Sequence, residues 1–169
     1  MPKVFSMPVS KIDVEEINNG DFLKLKLYAI SDTVNRNGSE FLRDGFEESI
    51  PTIYNKPILA YFNKKIGDAE EHNSRMDIDQ YGDTFYDYDY DGAEKPVGVI
   101  PESADIYIEA VDGKNWVVIN SAYVWVEYNK RLIEVIKRQI TKKVSVEIEA
   151  IDSWEEDGIE KIRVWKFLG

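Results

Sequence analysis

Hydrophobic and polar residues alternate along several stretches of this chain with the two-residue period of a strand. Phe22-Leu-Lys-Leu-Lys-Leu-Tyr28 is the first such stretch and reads as half-buried. Asn35-Arg-Asn-Gly38 is turn chemistry. Over residues 41–50, Phe41, Leu42, Gly45, Phe46, Ser49 and Ile50 fall at helical spacing, and Pro51 bounds the predicted helix. Residues 56–62 read as a second strand, with Pro57 near its start, where a missing N–H is tolerated. Strands are also predicted over 76–80 and 84–90, joined near Tyr81-Gly82-Asp83, and over 96–100, ending at Pro101.

Residues 104–111 and 114–124 form a predicted hairpin across Asp112-Gly113. Its second arm, Trp116-Val-Val-Ile-Asn-Ser-Ala-Tyr-Val124, has the apolar content of a buried central strand. Trp125, Tyr128, Leu132, Val135, Ile136, Gln139 and Ile140 then follow a 3.6-residue period, which predicts a helix. Lys130, Arg131, Lys137 and Arg138 fall toward its outer and C-terminal parts, where basic side chains suit the helix dipole. Lys143-Val-Ser-Val-Glu-Ile-Glu-Ala-Ile151 is the cleanest strand. Val144, Val146, Ile148 and Ala150 share one face; Ser145, Glu147, Glu149 and Ile151 share the other. A turn at Glu155-Glu-Asp-Gly158 leads to a returning strand over 159–167, where Ile162, Val164 and Lys166 alternate with Lys161, Arg163, Trp165 and Phe167.

Residues 1–9 lack a pattern and read as a loose arm. No internal repeat or Ser/Gly linker divides the rest, so residues 1–169 read as a single β-rich α+β domain. The stop at Gly169, directly after Trp-Lys-Phe-Leu, suggests an engineered or processed boundary.

Charge changes this picture in one place. The net charge is −11, from 32 acids and 21 bases. Ten of the acids lie between Asp68 and Glu94, opposed by Arg75 alone, so residues 68–94 hold −9 of the −11. The same stretch contains His72, the single His, and Tyr81, Phe85, Tyr86, Tyr88 and Tyr90. It reads as an acidic, Tyr-rich insertion in an otherwise balanced domain, either a solvated hairpin or a site that uses the charge. A negative field disfavours nonspecific nucleic-acid binding. Zero Cys removes disulfide scaffolds, thiol nucleophiles and thiolate zinc sites. No run of about 18 apolar residues predicts a membrane span, and Met1-Pro2-Lys3-Val4 lacks the apolar core of a signal peptide.

Candidate chemistry is sparse. Asp87-Tyr-Asp-Tyr-Asp-Gly92 opens like a calcium loop, but its twelfth position is Gly98 instead of Glu, and Pro96 interrupts the helix that should follow. No cofactor is expected. Ser145 sits mid-strand on a polar face, where a solvent-facing Ser needs no special explanation. Any Ser–His chemistry has His72 as its one base. There is no G-x-S-x-G elbow, zinc-binding H-E-x-x-H or Gly-rich phosphate loop.

Five segments, taken in order, nevertheless resemble the prohead (capsid maturation) serine proteases of tailed phages, which are similar in fold to herpesvirus assemblin. They are Asn35-Arg-Asn-Gly-Ser-Glu-Phe41 before a helix, Asn55-Lys-Pro-Ile-Leu59, Glu70-Glu-His-Asn-Ser74, Lys95-Pro-Val-Gly-Val-Ile100, and an amphipathic helix leading into Lys143-Val-Ser-Val-Glu-Ile148. The resemblance spans about residues 22–150 and implies a mostly antiparallel, β-barrel-like domain with flanking helices. It implies Ser145 as nucleophile and His72 as general base and then acid. The third group varies in the family. Glu147, two residues from Ser145 on the same strand face, is the first choice, and Asp77, Glu71 and Glu149 are rivals.

No paired Arg of the kind that helps the oxyanion site in herpesvirus enzymes follows Ser145. Lys161 and Arg163 are the nearby bases, and backbone N–H groups are the expected oxyanion donors. The implied substrates are phage scaffold and major capsid proteins, with self-cleavage, inside an assembling procapsid in the bacterial cytoplasm; a homo-oligomer is a further partner to test. Two other classes stay open: a non-enzymatic phage structural or scaffold-core protein of the same fold, and an acidic DNA-mimic inhibitor.

Overall fold

The structure is a computed structural model that describes residues 3–8, 13–17, 20–35, 38–70, 75–138, 140–141 and 143–169; for 3–8, 13–17, 143–145 and 147 it describes the backbone alone. In chain order the elements are β1 (Lys3–Pro8), β2 (Asp13–Ile17), β3 (Phe22–Ser31), β4 (Ser39–Phe41), α1 (Phe46–Ser49), β5 (Pro57–Ala60), β6 (Phe62–Asn63) and β7 (Asp68–Ala69). They continue with β8 (Arg75–Ile78), β9 (Thr84–Asp87), β10 (Lys95–Val99), β11 (Ile106–Val111), β12 (Lys114–Trp125), α2 (Lys130–Lys137), β13 (Lys143–Glu156) and β14 (Ile159–Phe167). The protein is mostly antiparallel β with two short α-helices, an α+β arrangement.

A six-stranded sheet runs in the order β2-β3-β12-β10-β5, with β11 paired beside it on β12, and curls into a half-barrel. Strand β12 is its centre: one edge pairs β3 from Trp116 to Trp125. The other edge pairs β11 along Lys114 to Ile119 and β10 at Tyr123 and Val124. Both edges of β12 are therefore paired, and Trp116, Val117, Val118 and Ile119, which alternate between its two faces, are all buried. Val117 and Ile119 enter the main core, whereas Trp116 and Val118 join Tyr28 in a second cluster, with the Trp116 and Tyr28 rings edge-to-face at 5.8 Å. The hairpin turn lies at Asp112 (φ 51°) and Gly113 (φ 77°), the left-handed pair that a two-residue connection needs.

A four-stranded sheet, β1-β13-β14-β4, closes the main core from the other side. Ile148, Ile162, Val164 and Phe167 meet Leu23, Leu25, Phe41 and Phe46 there. Residues 3–8, read from sequence as part of a loose arm, instead form β1, which pairs β13 antiparallel from Lys3–Ile148 to Pro8–Lys143. β1 thus pairs the N-terminal half of β13 on the edge opposite β14, and Ile148 has a partner on each side, Lys3 and Phe167.

Three further local expectations change in the fold. The helix predicted over 41–50 is broken: Phe41 belongs to β4, whose β14 partner is Ile162, and the Leu42 N–H continues the pairing to the Ile162 carbonyl at 2.8 Å. Only Phe46–Ser49 is α-helical, between 3-10 turns at Arg43–Gly45 and Ile50–Thr52. Gly45 lies so close to β14 that a Cβ there would stand 2.5 Å from the Val164 carbonyl oxygen.

The helix predicted from Trp125 begins only at Lys130, because Trp125 is drawn into β12 opposite Phe22. Its stripe of Leu132, Ile133, Val135 and Ile136 is buried, each side chain contributing about 1.5–3 kcal/mol. Finally, Phe167 is buried although it shares parity with exposed Trp165. Pairing skips a residue there, from Ala150–Val164 to Glu149–Lys166, and the resulting bulge turns Phe167 inward.

Candidate functional site

Strand β13 carries Ser145 and Glu147 on its backbone at the register positions opposite Ser6 and Val4 of β1. Their flanking residues Val146 and Ile148 are buried in the core, which fixes the strand under this site. The side chains of Ser145 and Glu147, and residues His72 and Glu71 entirely, lie outside the described residues.

The described chain on either side does converge. The Thr141 hydroxyl donates to the Asp68 carboxylate, and that carboxylate also accepts the Ala69 N–H at 2.7 Å. Beyond it, the Glu70 N–H donates to the Tyr61 carbonyl at 2.9 Å, and the Asn63 amide donates to the Glu70 carboxylate. Asp68 precedes His72 by four positions and Thr141 precedes Ser145 by four.

The two rivals that the structure describes are placed differently. Asp77 lies on β8 opposite Phe85, exposed, with one carboxylate oxygen accepting the Ile78 N–H at 2.8 Å. Glu149 is exposed on β13 opposite Lys166.

Much of the acidic segment is spent on its own architecture. Strands β8 and β9 form a separate hairpin, and Asp79 organises its turn by accepting the N–H groups of Tyr81 and Asp83 at 2.8 and 2.9 Å. Asp87 accepts the Asp89 N–H at 2.8 Å and pairs with Arg75 at 3.1 Å, while the Arg75 guanidinium lies 4.2 Å from the Tyr90 ring centre. The Asp89 N–H first, and Arg75 next, hold the Asp87 carboxyl below its ordinary pKa. Lys95 donates to the Tyr88 carbonyl and approaches Asp89 at 4.0 Å. Among the described residues, no group of three or more His, Cys, Asp or Glu is placed to hold a metal ion.

The two bases near the end of the chain are committed as well. Lys161 binds Glu40, a hydrogen bond that raises its pKa. Arg163 bridges Asp44 at 3.1 Å and Asp152 at 2.7 Å. Both tie β14 to its neighbours.

Sequence reasoning missed a groove of about 660 Å³ beside this region. Tyr61 and Phe62, Pro96 and Val97 of β10, and Trp125 and Tyr128 line it, with Lys64, Lys95, Lys130 and Arg131 around them. Helical spacing places Trp125 and Tyr128 on the predicted helix with Leu132, Val135 and Ile136, but in the fold they precede α2 and are 37% and 86% exposed. The signal was present as Trp125 and Tyr128 lying within a few residues of Lys130-Arg131 in an acidic chain.

Residues 21–169 match the family described as the YonD N-terminal domain. The chain belongs to the YonD N-terminal domain family. The YonD match takes in β3 through β14, and so both the convergence at Asp68 and Thr141 and the groove. No curated protein and no solved structure matches the chain. Among the described residues no helix is long and apolar enough to cross a membrane.

Proposed function

We propose that this chain is a serine endopeptidase that cleaves scaffold and capsid proteins, and itself, during phage head maturation inside the procapsid. The observation that carries the reading is the hydrogen bond between Thr141 and Asp68, which draws together the chain leading to His72 and the chain leading to Ser145. Two further observations support it. The segments around Asn55-Lys-Pro-Ile-Leu59 and Lys95-Pro-Val-Gly-Val-Ile100, which resemble prohead proteases, are paired neighbours as β5 and β10. The YonD family is itself phage-related.

In this reading Ser145 Oγ attacks the scissile carbonyl while His72 takes its proton. The C–N bond then breaks as His72 returns that proton to the leaving amine, and water hydrolyses the acyl-enzyme by the same relay. Backbone N–H groups stabilise the oxyanion. Glu147 is the first choice to orient His72, ahead of Asp77, Glu71 and Glu149. Since Asp77 already uses one oxygen within its hairpin, it is the weaker of the described rivals.

The decisive experiment is co-expression with the candidate scaffold and capsid substrates. Ser145→Ala and His72→Ala should each abolish cleavage while leaving the melting transition in place. Undiminished cleavage in both variants overturns the peptidase reading and leaves a non-enzymatic phage structural role.

A further inference from the structure

The groove beside α2 concentrates positive charge on a protein of net charge −11. Four cations, Lys64, Lys95, Lys130 and Arg131, line it against one acid, Glu127. Two of the four are occupied: Lys130 pairs with Glu127 at 3.2 Å, and Lys95 is held by the Tyr88 carbonyl and Asp89. Lys64 and Arg131 are exposed and form no ion pair among the described residues.

Between these cations the walls are aromatic and apolar. Tyr128 stands 86% exposed and Trp125 37% exposed, beside Phe62 and Val97. The volume lies in the range of ligand clefts. Apolar walls want an apolar side chain, and two exposed cations with no ion pair among the described residues want carboxylates. A polyphosphate backbone fits less well, because it offers no apolar side chain to the walls of Phe62, Val97 and Trp125.

We infer that this groove binds an extended acidic peptide carrying at least one apolar side chain. Its position gives the binding a use. Tyr61 lines the groove, and its carbonyl holds the Glu70 N–H two residues before His72. A peptide seated there lies next to the segment that leads to the proposed base. Service as the substrate site rests on the peptidase reading; the binding itself does not.

The test uses the full-length Ser145→Ala protein, fluorescence anisotropy and a fluorescein-labelled peptide of alternating Glu and Leu. The double variant Lys64→Glu/Arg131→Glu changes exposed side chains, and circular dichroism checks its fold. It should weaken binding by at least about tenfold, and Tyr128→Ala should weaken it several-fold. Raising salt should weaken the unmodified groove more than the charge-reversed one, and the alternating Lys and Leu peptide should not bind.

Equal affinity in the charge-reversed variant overturns the inference, as does no binding at all. Tighter binding of oligothymidylate than of the acidic peptide overturns it too, in favour of a nucleic-acid groove. Peptide binding that survives in a protein whose cleavage is indifferent to Ser145 and His72 keeps the groove and removes only its catalytic use.

Discussion

The Thr141 hydroxyl hydrogen-bonds the Asp68 carboxylate, closing a link across 73 residues of sequence between the end of the α2 loop and β7. Both residues are half-buried, so the bond is partly shielded from water. Thr141→Val removes the donor and keeps the shape. Denaturant titration should show a loss of about 1 kcal/mol, the usual net value of one such bond. On the proposed peptidase reading, cleavage under fully folding conditions should slow by about tenfold, because small displacements of reacting groups are costly. A destabilised variant that still cleaves at full rate would separate this contact from the proposed catalytic site.

Gly98 lies where β10 meets β12, and a Cβ there would stand 2.1 Å from the Tyr123 carbonyl oxygen. Backbone must move to admit it. Gly98→Ala is therefore expected to destabilise by about 3 kcal/mol or more, in the upper range of overpacking effects. Thermal melting measures it; a change under about 0.5 kcal/mol would mean that the two strands separate freely.

Phe46 is completely buried between α1 and the four-stranded sheet. Phe46→Ala should cost about 3–5 kcal/mol, the transfer term plus the cavity left behind. Phe46→Leu should recover more than half of that in the same urea titration, since most of the volume returns.

The Asp87 carboxyl gives the β8–β9 hairpin a pH dependence. Its folded pKa is depressed below 3.8 by the Asp89 N–H and then Arg75. Stabilisation is thus fully present above pH 3.8 and is lost as pH falls through the lower folded value. Lys161 behaves in the opposite sense: its pKa is raised above 10.5 by Glu40, so its contribution holds below 10.5 and fades as pH rises through the raised value. Amide-exchange protection at Asp77 and Phe85, paired across the hairpin, should fall on acidification, and Asp87→Asn should remove that acid-side dependence. An unchanged profile in the variant would show that Asp87 does not hold the hairpin.

Much of the strand content was legible from local pattern, because alternation and turn chemistry act within a few residues. Lys24 and Lys26 alternating with Leu23, Leu25 and Leu27 marked β3. Asp112-Gly113 and Asp157-Gly158 marked two hairpin turns, and all four residues adopt positive φ. The candidate site was less legible. The charge run looked like a source of partners for His72, yet Asp77, Asp79 and Asp87 bind neighbouring backbone N–H groups that composition does not reveal.

By itself the sequence determined the β-rich class, the turns, the acidic segment and the residues able to do chemistry. Those depend on side-chain period and charge, which travel with the chain. Only the tertiary structure decided that residues 3–8 pair with β13, that Gly45 against Val164 interrupts a helical pattern, and that a bulge buries Phe167 while Trp165 stays exposed. It also set Trp125 and Tyr128 around a basic groove instead of in the core. The physical reason is common to all of these: each outcome depends on which distant surface offers hydrogen bonds or space, and local period carries no record of that partner.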